Sequence, residues 1–397
     1  MAVRPLTSAW WGPPKRFDVP EEDRRVSWLE LFYDLVYVIA IARITHQLAH
    51  HISFGAFLEY TGLFVIIFWG WLNGSLYHDI HGNEGLRTRL MTLWQMMIIA
   101  ALAIMLDRPA TTNFVGITIV FMIMQLYLTY LWWSVGFYDP SHRKYNRPYT
   151  LLYLISFALM GISMWLPEGS LTWIVPLVIL CNYAPPFVTS TLLGRESLDL
   201  DLSSSMFERL GLFAIIVFGE VVLGVVNGIS QADVLDAVVW VNFALALSIV
   251  FALWWILFTL VARREPRKGF VNASLLELLY VPALIALGLM AVSFTSIFEA
   301  HAGTESITPI FPAAIAGFLI SISLMGRLLV FPESYAALKG PMERSLWVTA
   351  AFFLLSMLLP VNLSITSYLL LVVIILLLEI LFLNTRYYRI AGQGERT

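Results

Sequence analysis

Two carboxylates stand four residues apart in "LELFYDLVYVIAI", residues 29–41: Glu30 and Asp34. On a helix that spacing puts both on one face, a turn apart, with Tyr37 close to the same line. Neither belongs in an apolar run by default. A carboxylate held inside such a run turns toward a cavity, a partner or an ion path, because exposure to hydrocarbon is costly. Arg43 follows nine residues after Asp34, about 180° around the helix, with His46 and His50 toward its side. A helix polar on one face at its start and on the opposite face near its end must be enclosed by other helices.

Further charges interrupt apolar runs at Glu59, Glu208, Arg209, Glu220, Glu277, Arg327 and Glu379. Glu59, Glu208, Arg209 and Glu277 fall near the ends of their runs, where snorkelling lowers the cost. They read as interfacial. Glu220 falls near the middle of its run, with Gly224 and Asn227 on its face. Gly224 and Gly228 have the GxxxG spacing that permits close helix approach, and Gly219 adds a third small residue. Depth along the runs matches Glu220 with Arg43, and Asp34 with Arg327, so these are the expected ion pairs. Such pairs either fix helix register or line a path for a proton, ion or solute.

Metal binding has two weak candidates. His46 and His50 are spaced i,i+4, with His51 beside them and His301 on the same expected side; His78 and His81 flank Asp79. No cofactor is expected. The four lysines, Lys15, Lys144, Lys268 and Lys339, lie outside the apolar runs, which excludes an intramembrane Schiff base. The chain has no P-loop, no G-x-S-x-G and no GxGxxG fingerprint. Its one cysteine, Cys181, excludes an internal disulfide.

The elements that must position these residues follow from composition. Of 397 residues, 59% are hydrophobic and 13% charged, and the mean hydropathy is +0.78. Soluble domains carry about 25% charged residues. An all-α polytopic membrane protein is therefore expected, with the lipid bilayer as its first partner. A net charge of −3 gives no reason to expect nucleic acid. No apolar signal-peptide region precedes the first run.

Twelve apolar segments approach the length of a span: 28–50, 54–78, 86–106, 113–136, 149–166, 171–193, 206–228, 233–262, 271–298, 308–331, 342–360 and 364–386. With this count, every Lys and Arg except Arg43, Arg108 and Arg327 falls on one side or just inside it. The positive-inside rule makes that side cytoplasmic, together with both termini.

The chain also reads as duplicated. "ELFYDLVYVIAI" opens the first span and "ERLGLFAIIVFGE" the seventh; paired or closely spaced Trp residues mark spans two and eight. The expected organisation is an N-terminal tail (1–27), a six-helix half (28–193), a linker (194–205), a second half (206–386) and a C-terminal tail (387–397). The halves would form a parallel repeat about an axis along the membrane normal.

The block "WLELFYDLVYVIAIARITHQL" resembles the opening of the bacterial low temperature requirement A family, which has an E-L-F-x-D-L-V-x-V pattern. "ERLGLFAIIVFGEVVLGVV" resembles that family's E-R-x-G-L-F-x-I-I-x-L-G-E block. "RLMTLWQMM" and Trp254–Trp255 fit as well. The resemblance marks Glu30, Phe32 and Asp34 in the first block, and Glu208, Arg209, Gly219 and Glu220 in the second. It implies a bacterial cytoplasmic membrane protein linked to growth in the cold, and no particular reaction. A Tyr-x-His-Leu-Pro run of the family is altered: "LLYVPAL" has Tyr280 where the His would fall.

The expected function is transport of a small solute or ion, by a secondary transporter or an ion or proton channel. Candidate path residues are Glu30, Asp34, Arg43, Glu220, Asn227 and Arg327. An intramembrane lipid-modifying enzyme built on His78, Asp79 and His81, and a non-transporting sensor or assembly factor, are the alternatives. Oligomerisation is compatible with all three.

Overall fold

Helix α1 begins where the sequence offers a cap. In the computed structural model, the Ser27 hydroxyl accepts the Glu30 N–H, while the Glu30 carboxylate accepts the Ser27 N–H at 2.8 Å and the Ser27 hydroxyl at 2.9 Å. This reciprocal capping box satisfies amide donors that the first helical turn leaves open. The structure describes residues 26–82, 85–110, 112–138, 140, 143–194, 201–231, 234–262, 264–299, 309–331, 336–358 and 363–394. Residues 1–25 of the expected N-terminal tail, 195–200 of the linker, 395–397 of the C-terminal tail, and His301 lie outside them.

The described residues are almost entirely helical. Helices α1 (Trp28–His50), α2 (Phe54–His81), α3 (Leu86–Met105), α4 (Phe114–Tyr138) and α5 (Arg143–Ser163) are followed by α6 (Leu171–Tyr183) and α7 (Pro185–Leu193). Then come α8 (Ser204–Ser230), α9 (Ala237–Leu257), α10 (Phe270–Glu299), α11 (Ile310–Arg327), α12 (Ala336–Ser356) and α13 (Ile365–Gly394). Helix α9 continues into one π-helical turn, Phe258–Ala262. Beyond it, Glu265–Pro266 (β1) pairs antiparallel with Leu329–Val330 (β2), and the Arg267 N–H donates to the Leu328 carbonyl at 2.8 Å.

Among the described residues, eight helices are long and apolar enough to cross a membrane: α2, α3, α4, α8, α9 with its π turn, α10, α11 and α13. Helices α6 and α7, bent by 45° where Pro185 follows Ala184, make a ninth if taken as one broken span. The expected twelve therefore exceed what length and composition support here. Helices α1, α5 and α12 account for the difference. They have 23, 21 and 21 residues, long enough to cross, but each carries charge: Glu30, Asp34 and Arg43; Arg143, Lys144 and Arg147; Lys339, Glu343 and Arg344.

The chain divides into two compact units. The first comprises residues up to Gln47, His51–Arg209 and Lys268–Ser274; the second comprises Leu48–His50, Leu210–Arg267 and everything from Leu275 on. The boundary falls inside α8, between Arg209 and Leu210. In the first unit α4 packs along α5, and α5 along α6 and α7. In the second, α11 packs along α12, and α9 along α13. Both units bury aromatic side chains, among them Trp69, Trp71, Trp132 and Tyr153 in the first and Tyr280, Phe294 and Phe318 in the second. Trp94, Ile104, Trp173, Val348 and Leu358 are exposed. Apolar surface on this scale is what hydrocarbon, not water, accommodates.

Candidate functional site

The face of α1 that carries Glu30 and Asp34 is answered by Arg209, in the second turn of α8. Asp34 is 0% exposed and Arg209 1%. The Arg209 Nη2 donates to Asp34 Oδ1 at 2.6 Å, and its Nε approaches Oδ2 at 3.5 Å. The Trp71 indole N–H donates to the same Oδ1 at 2.7 Å. Glu30 Oε1 lies 3.6 Å from Arg209 Nη1, an ion-pair separation too long for a hydrogen bond. Glu30 thus caps its own helix with one oxygen and faces the guanidinium with the other. The guanidinium also sits over two aromatic rings, 5.6 Å from the Tyr33 centroid and 5.8 Å from Trp71. This cation–π support suits a buried arginine better than a lysine.

A second set of polar groups adjoins this cluster. Tyr33, tilted against Tyr37 with ring centroids 4.9 Å apart, donates to the Trp71 carbonyl at 3.3 Å. The Gln95 amide donates to the Tyr37 hydroxyl at 2.8 Å and to the Gly70 carbonyl at 3.0 Å. Gly74 leaves the room for this meeting. A Cβ there would stand 2.4 Å from the Tyr33 hydroxyl and 2.5 Å from the Gln95 amide. One turn on, His78 Nδ1 donates to the Gly74 carbonyl at 2.6 Å, and Nε2 lies 3.0 Å from the Thr92 hydroxyl.

Several expected assignments are corrected. Arg43 pairs with Asp107 at 3.0 Å, and both side chains are more than half exposed; Asp107 lies in the loop after α3, level with the end of α1. Arg327 pairs with Glu343, and its own side chain is 56% exposed. Neither is buried, and each pairs with a different acid from the one expected, Glu220 for Arg43 and Asp34 for Arg327. Matching residues by depth alone overlooked acids in the neighbouring loop and in the next helix. Arg209, read as interfacial, is the most enclosed cation among the described residues of the first unit. Glu277 is buried as well, whereas Glu208 is exposed.

Glu220 is half-buried in the second unit, and among the described residues its side chain has no hydrogen bond or ion pair. Asn227 is half-buried one face along, its carbonyl accepting the Ser230 hydroxyl at 2.8 Å. Gly224 and Gly228 lie directly against α10. A Cβ on Gly224 would stand 2.5 Å from the Ala291 carbonyl oxygen, and one on Gly228 2.9 Å from Phe298 Cβ. Gly219 does not share this role: nothing stands within 4 Å of its Cβ position.

The histidine sets do not converge on a point. His78 bonds along its own helix and to Thr92. Asp79 accepts the Ser203 hydroxyl at 2.6 Å, and His81 packs against Tyr77 and Trp132. His46 and His50 are exposed on α1. Among the described residues no group of three His, Cys, Asp or Glu side chains is placed to hold a metal ion.

A bundle of long apolar helices enclosing an Asp–Arg–Glu cluster defines a multi-helix membrane protein. The family model for bacterial low temperature requirement A protein (LtrA) matches residues 25–379. The chain belongs to that family. It is also similar to the uncharacterized protein RA0937 of Rhizobium meliloti (strain 1021), 26% identical over 254 residues, 60% of this chain. The similarity spans 59% of that relative's own length. No solved structure matches.

Proposed function

We propose that this protein moves protons, alone or coupled to a small solute or ion, across the bacterial cytoplasmic membrane. The observation that carries this reading is Asp34, a carboxylate wholly removed from solvent among apolar helices and held between the Arg209 guanidinium and the Trp71 indole. Glu30, one turn earlier on the same helix, faces the same guanidinium. Ionisable groups are costly at such positions and mark proton and ion relays in membrane proteins. Glu220, half-buried in the second unit and without a charged partner among the described residues, is a further carboxylate that the reading gives a part in proton transfer.

The same reading has twelve spans, with α1, α5 and α12 crossing as charged but enclosed helices and α6–α7 as one broken span. Two six-helix halves repeat in parallel, and both termini are cytoplasmic, as the basic loops favour. The Glu30–Asp34 face then opens toward the cytoplasm.

A second reading also has an observation behind it. Asp34 Oδ1 already accepts two hydrogen bonds and Oδ2 faces Arg209 Nε, which suits a latch that holds α1 to α8 in a non-transporting sensor or assembly factor. The test is proton flux into proteoliposomes, followed with an entrapped pH dye under an imposed potential. The wild type is compared with Asp34→Asn and Glu220→Gln, each shown to elute monodisperse. Flux that falls in either variant supports the path. Absence of flux in the wild type removes a simple proton channel and favours the latch.

A further inference from the structure

Glu379 is the one acidic residue of α13, and it is buried inside the second unit, 5% exposed. It stands at the seam of that helix: Leu376, Ile380 and Leu383 are buried, whereas Leu377, Leu378 and Leu381 are exposed on the apolar side. Glu379 Oε2 accepts the Thr349 hydroxyl of α12 at 2.9 Å. The Ser345 hydroxyl, one turn earlier on α12, faces the same carboxyl. Oε1 is buried and meets no hydrogen-bond donor among the described residues.

Among the described residues no cation pairs with this carboxyl. Helix α9, packed along α13, has no titratable residue from Ala237 to Leu257. On α12 the charged residues are Lys339, Glu343 and Arg344, all in its first half. Glu343 holds Arg327 of α11, Lys339 Nζ lies 5.6 Å from the Phe331 ring centroid, and Arg344 is exposed, its Nε donating to the Gly340 carbonyl at 3.3 Å. Arg264 and Glu265 line a cavity with Leu383, Asn384 and Tyr387, a turn or more toward the end of α13. On α13 itself Arg386 and Arg389 follow Glu379 by about 10 and about 15 Å of helix axis, and Tyr368 precedes it by about 16 Å.

A carboxylate buried without a counter-charge is costly, and it takes up a proton instead. The geometry suits the neutral acid. Its carbonyl oxygen accepts the Thr349 hydroxyl, and a proton on Oε1 replaces a bare charge that no donor meets. A route for exchange lies on the same face: Leu383, one turn on, lines the cavity of about 790 Å³ that also holds Asn384 and Tyr387. We propose that Glu379 and Thr349 form a proton-binding site in the second unit, occupied at neutral pH and in exchange with water through that cavity. An alkali cation would need a fuller shell of oxygens than one carboxyl and two hydroxyls provide. The site lies wholly within the second unit. It holds a proton whether or not Asp34 belongs to a conducting path, so a failure of one reading leaves the other standing.

The test is difference infrared spectroscopy on the full chain in lipid nanodiscs, wild type against Glu379→Gln. At neutral pH the wild type is expected to show one protonated-carboxyl C=O band that the variant lacks. The band should shift down in heavy water, shift up in Thr349→Val, which loses the hydroxyl bonded to the carbonyl, and vanish reversibly as the pH is raised. A wild type without this band at neutral pH has an ionised Glu379 and overturns the proposal. A band that neither shifts in heavy water nor responds to pH marks a fixed proton and overturns it too. Loss of the band on adding sodium at constant pH replaces the proton with an alkali cation. Should Glu379→Gln fail to fold, dicyclohexylcarbodiimide on the wild type decides the matter. The carboxyl proton passes to a carbodiimide nitrogen, the carboxyl oxygen bonds to the central carbon, and the O-acylisourea rearranges to a stable N-acylurea with no group lost. An adduct on 365–394 whose yield falls with rising pH supports the site, and adducts confined to other segments exclude it.

Discussion

Arg209 and Asp34 are 175 positions apart in the chain and meet at 2.6 Å, both removed from solvent. The contact joins the opening of α1 to the opening of α8. Removing one partner of a buried pair leaves the other charge uncompensated, at a cost of about 3–5 kcal/mol. Arg209→Gln is therefore expected to lower the thermal midpoint in detergent sharply. Adding Asp34→Asn to it should recover part of the loss, because fewer unpaired charges remain. Independent, additive effects in that double-mutant cycle would mean that the pair is not coupled.

Arg43 provides the contrast. Its pair with Asp107 is exposed on both sides, and such pairs contribute about 0–1 kcal/mol. Arg43→Gln should unfold within a degree or two of the wild type. A loss comparable with that of Arg209→Gln would show that Arg43 is enclosed after all.

Ser27 and Glu30 form a capping box. Ser27→Ala should cost about 1 kcal/mol, and Ser27→Thr should cost little, since the hydroxyl is kept. The variant also releases the Glu30 oxygen held by the cap, so altered proton flux in Ser27→Ala alone would tie the cap to the Asp34–Arg209 cluster. Thermal melts and the liposome assay read the two effects separately.

Gly74 is expected to tolerate no side chain. A methyl group there would stand 2.4 Å from the Tyr33 hydroxyl and 2.5 Å from the Gln95 amide. Overpacking of this kind costs about 1–3 kcal/mol, and it would separate Gln95 from Tyr37. Gly219→Ala, where nothing lies within 4 Å, should be neutral or slightly stabilising. Equal yields and melting points for the two variants would contradict the packing described around Gly74.

Much of the helical organisation was legible from composition and apolar run length, because backbone groups in lipid leave few alternatives to the helix. The shared face of Glu30 and Asp34 was legible too, since it needs only the helical period. The Ser-Trp-Leu-Glu signal of the capping box stood in the sequence at residues 27–30 and was the clue to one of Glu30's two roles. Arg209 was not legible as the partner. Hydropathy ranks a residue by its distance from the end of a run, and Arg209 lies near such an end while being enclosed by Tyr33, Trp71 and Asp34. The Arg43 and Arg327 pairs were misread for a related reason. Depth along a helix is one coordinate, and Asp107 and Glu343 become neighbours through the turns that follow α3 and α11. The π turn after α9 has no sequence signature at all; "LFTLVA" reads as ordinary helix.

The contact of Gly224 and Gly228 with α10 has a mechanical consequence. The Thr295 hydroxyl donates to the Gly224 carbonyl at 3.2 Å, and the Ala291 backbone lies where a Gly224 side chain would be. Moving α8 against α10 by a single residue, a screw step of about 1.5 Å and about 100°, would carry Leu223 or Val225 into that space. The two helices are therefore keyed like a bolt in its slot, and any working cycle must carry them together as one stiff plank and bend elsewhere.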